Sequence, residues 1–216
     1  IDPNSLETLR LLLKSIDIPK NFKLNFINED FLLHNFNHEY DLVIGNPPFK
    51  KITGEKALLA KYKGGLHNQD TNNIFSFFIE KSLRLARYVA LIVPKSLINA
   101  PEFNKTRDLL ARSQFLKIND YGEKGFKGVK IETISFIVNS AKKPSKTHVL
   151  EIESYFLQKI YYQFQDYIFS KDFPYWLIYR DEFFDRVADK LKFSVFQSYR
   201  DRQITKKITL PSGSIR

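Results

Sequence analysis

The sequence predicts an α/β protein whose sheet is mostly parallel and covered by helices on both faces. Two apolar runs, residues 40–45 (YDLVIG) and 88–93 (YVALIV), have the continuous, β-branched character of strands buried on both sides. Stretches with apolar residues at helical spacing alternate with such runs, and a parallel sheet with crossover helices requires that alternation.

Residues 3–16 place Leu6, Leu9, Leu12 and Leu13 at helical intervals, with Pro3 at the opening, where its missing N–H costs nothing. Ile1 is then the last residue of a strand. Residues 23–28 alternate Leu24 and Phe26 with polar neighbours and read as a strand, as does 40–45. Residues 73–87 space Ile74, Phe77, Phe78, Leu83 and Leu85 as a helix, and strand 88–93 follows until Pro94 stops it. A helix over 102–113 precedes strands at 115–121 and 132–139, which form an antiparallel pair across the 122–128 segment. The polar stretch 140–147 (SAKKPSKT) has the composition of a linker, dividing a first domain, 1–139, from a second region, 148–216. That second region reads as mainly helical, with an aromatic-rich helix over 155–169 and another over 181–191.

Composition narrows the chemistry. The chain of 216 residues is 43% hydrophobic and 27% charged, which is globular rather than disordered. No apolar run reaches the roughly 20 residues that cross a bilayer. With no cysteine, disulfides, thiolate zinc sites and cysteine nucleophiles are excluded. The absence of methionine and the start at Ile1 lead to the expectation of a fragment with something missing upstream. A formal charge of +10 favours an anionic partner such as nucleic acid, and residues 190–216 concentrate it with seven basic residues against one acid.

The sharp motif is Asn46-Pro47-Pro48-Phe49, at the carboxyl end of strand 40–45, where open α/β sheets bind ligands. An exocyclic adenine amine is a poor nucleophile because its lone pair is delocalised into the ring. If the Asn46 side-chain carbonyl and the Pro47 backbone carbonyl both accept hydrogen bonds from that amine, the nitrogen turns tetrahedral and its lone pair is aimed. The two prolines preorganise these acceptors, and Phe49 offers a flat face to a base rotated out of its stack.

On these residues the chain resembles the S-adenosylmethionine-dependent DNA adenine-N6 methyltransferases of restriction-modification systems, over residues 1 to about 139. The resemblance implies a Rossmann-like class I methyltransferase sheet, a cytoplasmic prokaryotic enzyme and duplex DNA as partner. It assigns catalysis to Asn46, Pro47, Pro48 and Phe49, with Asn46 and Pro48 also touching the cofactor. Ile1-Asp2-Pro3 is similar to the tail of the second motif, so Ile1 and Asp2 are expected at the cofactor. Asp30 and Phe31, within Asn28-Glu29-Asp30-Phe31-Leu32, match the third motif, whose aspartate binds the cofactor's adenine amine and whose aromatic packs on that ring. Phe78 matches the aromatic of the fifth motif. Phe126, in Gly125-Phe126-Lys127, matches the eighth, whose phenylalanine stacks on the flipped base opposite Phe49. DNA contacts are expected from Lys50 and Lys51, in a mobile basic loop over 50–72, and from Arg200, Arg202, Lys206 and Lys207 in the start of a target-recognition region.

One departure from the family pattern is large. The glycine-rich first motif, which cradles the methionine part of the cofactor, and the sheet strand before it do not occur in this sequence. The cofactor site is therefore expected to be incomplete and the isolated chain inactive, with the first motif upstream and a nuclease fused or separate. Two other readings stay open: a methyltransferase acting on protein glutamine or on guanine N2 of ribosomal RNA, and a non-catalytic DNA-binding specificity fragment. His34 and His38 lie four residues apart but read as a loop pair, so no metal site is expected.

Overall fold

The computed structural model describes residues 3–128 and 130–191. Helix α1 (Pro3–Lys14) leads through a long irregular segment to β1 (Tyr40–Gly45), followed by α2 (Lys56–Lys63), α3 (Ile74–Leu85) and β2 (Ala86–Pro94). Two short 3₁₀ turns precede α4 (Asn104–Ala111), β3 (Gln114–Gly122) and β4 (Thr133–Asn139). The chain continues through β5 (Val149–Ser154), β6 (Lys159–Phe164), α5 (Gln165–Ile168) and α6 (Glu182–Ala188). No helix of the described residues is long and apolar enough to cross a membrane.

Six strands of the described residues form one sheet in the order β1-β2-β4-β3-β5-β6. Strand β1 is parallel to β2 and β5 to β3, while β4 is antiparallel to both its neighbours and β6 to β5. Four strands therefore run one way and β4 and β6 run against them. Val89, Leu91 and Val93 of β2 and Ile134, Phe136 and Val138 of β4 are buried in the middle of the sheet, which is why both segments are so apolar. Helix α3 packs on β2 and sends Phe75 and Ile79, one turn apart, into the core. At the edge, β1 pairs with β2 only among the described residues, and Leu42 and Ile44 stay exposed.

The segment between β1 and α3 is folded rather than a free loop. Ile52, Asn68 and Thr71 are buried in it. The Glu80 carboxylate of α3, 1% exposed, accepts from the backbone N–H groups of His67 (2.7 Å) and Asn68 (2.9 Å) and pairs with Arg84. Glu102 accepts from Lys51, Thr71 and Asn73. A carboxylate as buried as that of Glu80 needs its hydrogen-bonding positions filled, and in filling them it fixes the loop. The mobile basic loop expected over 50–72 is thus corrected to a pinned segment carrying α2.

Three other expectations change. Residues 23–28 are not a strand: they have no ladder partner among the described residues, Leu24 and Ile27 are exposed, and alternation alone cannot satisfy strand backbone groups. The helix over 155–169 is replaced by β6 and the short α5, because the aromatics that fit helical spacing also alternate, and β5 supplies the pairing from Val149↔Phe164 to Ser154↔Lys159. The stretch 140–147 joins two strands of the same sheet, and the compact units divide at Tyr179/Arg180. In the second unit α6 is capped by Asp181, which accepts from the Phe184 N–H at 2.7 Å. Ile1 lies outside the described residues.

Candidate functional site

The carboxyl ends of β1, β2, β3 and β5 share one rim of the sheet, and the Asn46-Pro47-Pro48-Phe49 segment leaves β1 there. Pro47 is buried while Asn46 and Pro48 are exposed, so the fixed proline φ angles clamp the backbone and leave the Asn46 amide facing solvent. Phe49 is half-buried, edge-to-face against Phe75 at 6.4 Å and against Phe126 at 6.0 Å.

Phe126 is carried by the turn between β3 and β4, where Gly122 and Gly128 take left-handed φ angles of 54° and 81°. A Cβ on Gly125 would lie 2.0 Å from the Thr133 hydroxyl oxygen, so only glycine lets the turn come this close to β4. The two aromatic rings expected on either side of a base are brought together, at 6.0 Å and an interplanar angle of 71°. A base between them needs a separation of about 7 Å, two contacts of about 3.5 Å each.

The second cluster gathers Asp30, Phe31 and Phe78. Phe31 stacks on Phe78 at 4.8 Å and 18°. Phe75 and Phe78 are three residues apart on α3, one touching Phe49 and the other Phe31, so the first turns of this helix join the two clusters. The Asp30 Oδ1 accepts from the Leu32 N–H at 2.8 Å, a local turn that holds the carboxylate in place. Its Oδ2 accepts from the Tyr62 hydroxyl of α2 at 2.5 Å.

Two residues here carry no role in the sequence reading. Tyr62 is 32 residues from Asp30, and no periodicity signals the pair. Lys81, one turn after Phe78, donates to the backbone carbonyls of Leu32 (2.8 Å) and His34 (2.7 Å) and lies over the rings of Phe31 and Phe36. Burial pushes the Lys81 ammonium below its ordinary value, against the opposing pull of the Asp30 carboxylate. Burial first, and then the hydrogen bond to Asp30, push the Tyr62 phenol up to about 12. The raised value means that the neutral phenol is favoured in the folded chain. Its contribution to stability is present in full below pH 10 and is lost as pH rises from 10 to about 12. In an ultraviolet difference titration of wild type against Tyr62→Phe, the missing phenolate band should rise near pH 12; a rise near pH 10 contradicts the contact.

The expected DNA-binding lysines are exposed but partnered, Lys50 with Glu55 at 3.8 Å and Lys51 with Glu102 at 3.3 Å. Such surface pairs are weak and open to exchange for phosphate. Asp2, like Arg200, Arg202, Lys206 and Lys207, lies outside the described residues. His34 is bound to Glu29 at 2.6 Å, and His38 packs against the Tyr40 ring.

Comparison with known proteins places part of the chain in one family. The family described as Eco57I restriction-modification methylase matches residues 3–126. A Type II methyltransferase of Thermus thermophilus is 32% identical over 119 residues, covering 49% of this chain and 27% of its own length. The Type II methyltransferase M.PstI of Providencia stuartii is 26% identical over 169 residues, covering 70% of this chain and 32% of its own. The chain thus spans about a third or less of these relatives. Among solved structures, the methyltransferase subunit of a type I restriction-modification system from Streptococcus thermophilus has a TM-score of 0.47 at 16% identity, covering 71% of this chain and 34% of its own.

Proposed function

The chain belongs to the Eco57I restriction-modification methylase family, and from that premise we propose that it carries the target-base half of a site that methylates the N6 amine of an extruded adenine in duplex DNA. The observation that carries this reading is the placement of Asn46-Pro47-Pro48-Phe49 on the sheet rim with Phe126 brought against Phe49.

The chain's own residues then have distinct tasks. The Asn46 side-chain carbonyl and the Pro47 carbonyl accept the two amine hydrogens, which draws the nitrogen lone pair out of conjugation and orients it. The buried Pro47 holds both acceptors still, so little reorganisation is needed as positive charge develops on the amine. Phe49 and Phe126 part from their 6.0 Å edge-to-face contact to about 7 Å and turn to take the faces of the base, replacing the stacking it loses on leaving the duplex. Lys50 and Lys51 stand next to the motif, where they can exchange their carboxylates for DNA phosphates.

S-adenosylmethionine supplies an electrophilic methyl group on sulfonium, and the second cluster fits its adenosyl half. Each Asp30 oxygen uses one acceptor position, on Leu32 or on Tyr62, and keeps a second for an adenine amine. Phe31 and Phe78 present an aromatic surface to the ring, beside a half-buried cation at Lys81. Asp30→Ala in the full product of the gene is expected to weaken binding of S-adenosylmethionine about tenfold or more by calorimetric titration, since a charge-assisted hydrogen bond contributes roughly 1.5–3 kcal/mol. An unchanged affinity contradicts the role given to Asp30.

A further inference from the structure

The turn joining β5 to β6 carries apolar side chains where the fold has no need of them. Tyr155 is 44% exposed, Phe156 68% and Leu157 44%, three consecutive residues facing water. The turn is nonetheless firmly built. The Tyr155 N–H donates to the Asp120 carbonyl at 2.9 Å, the Leu157 N–H to the Ser154 hydroxyl at 3.1 Å, and the Tyr155 ring stacks on Tyr121 at 5.0 Å. Gln158 closes it with a left-handed φ of 52°. An apolar tip held in one conformation is a surface prepared for a partner.

Position and charge say which partner. The tip follows the carboxyl end of β5 and so stands on the same rim as Asn46. Phe156 lies over Gly122, whose added Cβ would be 3.6 Å from that side chain. Phe126 follows Gly122 by four residues, at most about 14 Å of chain, which is about four base-pair steps of DNA. The β3–β4 turn beside the tip carries exposed Lys124, Lys127 and Lys130, and Lys159 follows the tip, against exposed Glu123 and Glu132; Glu132 is shared with Lys95, and Glu151 and Glu153 of β5 are taken up by Lys117. That excess disfavours a second copy of a chain carrying +10 and suits a polyanion.

The geometry points to the Tyr155–Leu157 tip as an apolar wedge for duplex DNA. It enters the base stack near the extruded nucleotide while the surrounding lysines take phosphates. The inference rests on the adenine-N6 reading of the rim and extends it to residues outside the motifs.

The test measures binding of the 216-residue chain at fixed low salt to an intact duplex and to the same duplex with one abasic position. The abasic position lowers the cost of unstacking for a wedge. Wild type is expected to prefer the abasic duplex about fivefold or more, and Phe156→Ser to reduce that ratio to about one. Phe156→Leu, which keeps the apolar bulk, should retain the preference. So should Phe164→Ser, an exposed aromatic at the opposite end of the hairpin. A wild-type ratio of one, or a ratio unchanged in Phe156→Ser, removes the wedge and leaves the adenine reading in place. If wild type binds neither duplex, the DNA reading of the rim falls together with the wedge.

Discussion

Asn46→Ala should lower methyl transfer by the gene's full product about a thousandfold while leaving its affinity for duplex DNA within about threefold of wild type. The expectation follows from where Asn46 sits. Its side chain is exposed on the rim and next to a buried proline, so removing it leaves the core untouched and, in the proposed site, takes away one acceptor for the amine. An acceptor that acts mainly as charge develops on nitrogen affects the chemical step rather than binding. Single-turnover methylation with DNA in excess of its Kd separates the two. A variant that transfers methyl groups near the wild-type rate removes Asn46 from the mechanism.

Phe49→Ala and Phe126→Ala should each weaken binding to a duplex carrying a mismatched or abasic-paired target adenine by about 1–3 kcal/mol, up to about a hundredfold. Their rings touch at 6.0 Å and are held from opposite sides, Phe49 by Phe75 and Phe126 by a turn that Gly125 presses against Thr133. Loss of either ring leaves one face of an extruded base exposed to water. 2-Aminopurine at the target position gives the readout: its fluorescence should respond differently to each alanine variant than to wild type. An identical signal in all three proteins contradicts stacking on these rings.

The strands and the helix whose pattern is local were legible in the sequence, but the burial expected on both sides of 40–45 was not met, because β1 lies at the sheet edge with no buried residue. Residues 40–45 and 88–93 are continuous apolar runs that become β1 and β2, and the Phe75 and Ile79 spacing becomes the buried face of α3. Periodicity failed where it could not report a partner. The alternation at 24 and 26 has no neighbouring strand to pair with among the described residues. The aromatics at 155–169 fit helix and strand alike, and only the ladder with β5 decides between them. At the proposed site, the reading of 46–49 rests on a motif contained in four consecutive residues, whereas Phe126 and Asp30 entered through resemblance. The Tyr62 contact to Asp30 and the Glu80 anchor of residues 67 and 68 join segments far apart in the chain, and no spacing rule encodes them.

The most direct measurement is the identity of the methylated nucleoside. Duplex DNA incubated with the gene's full product and isotope-labelled S-adenosylmethionine is digested and resolved by mass spectrometry. Label found as N6-methyldeoxyadenosine, and lost with Asn46→Ala, is the expected result. Label found on cytosine, on RNA or on protein, or unchanged label with Asn46→Ala, contradicts the assignment of the 46–49 motif as an adenine-amine site.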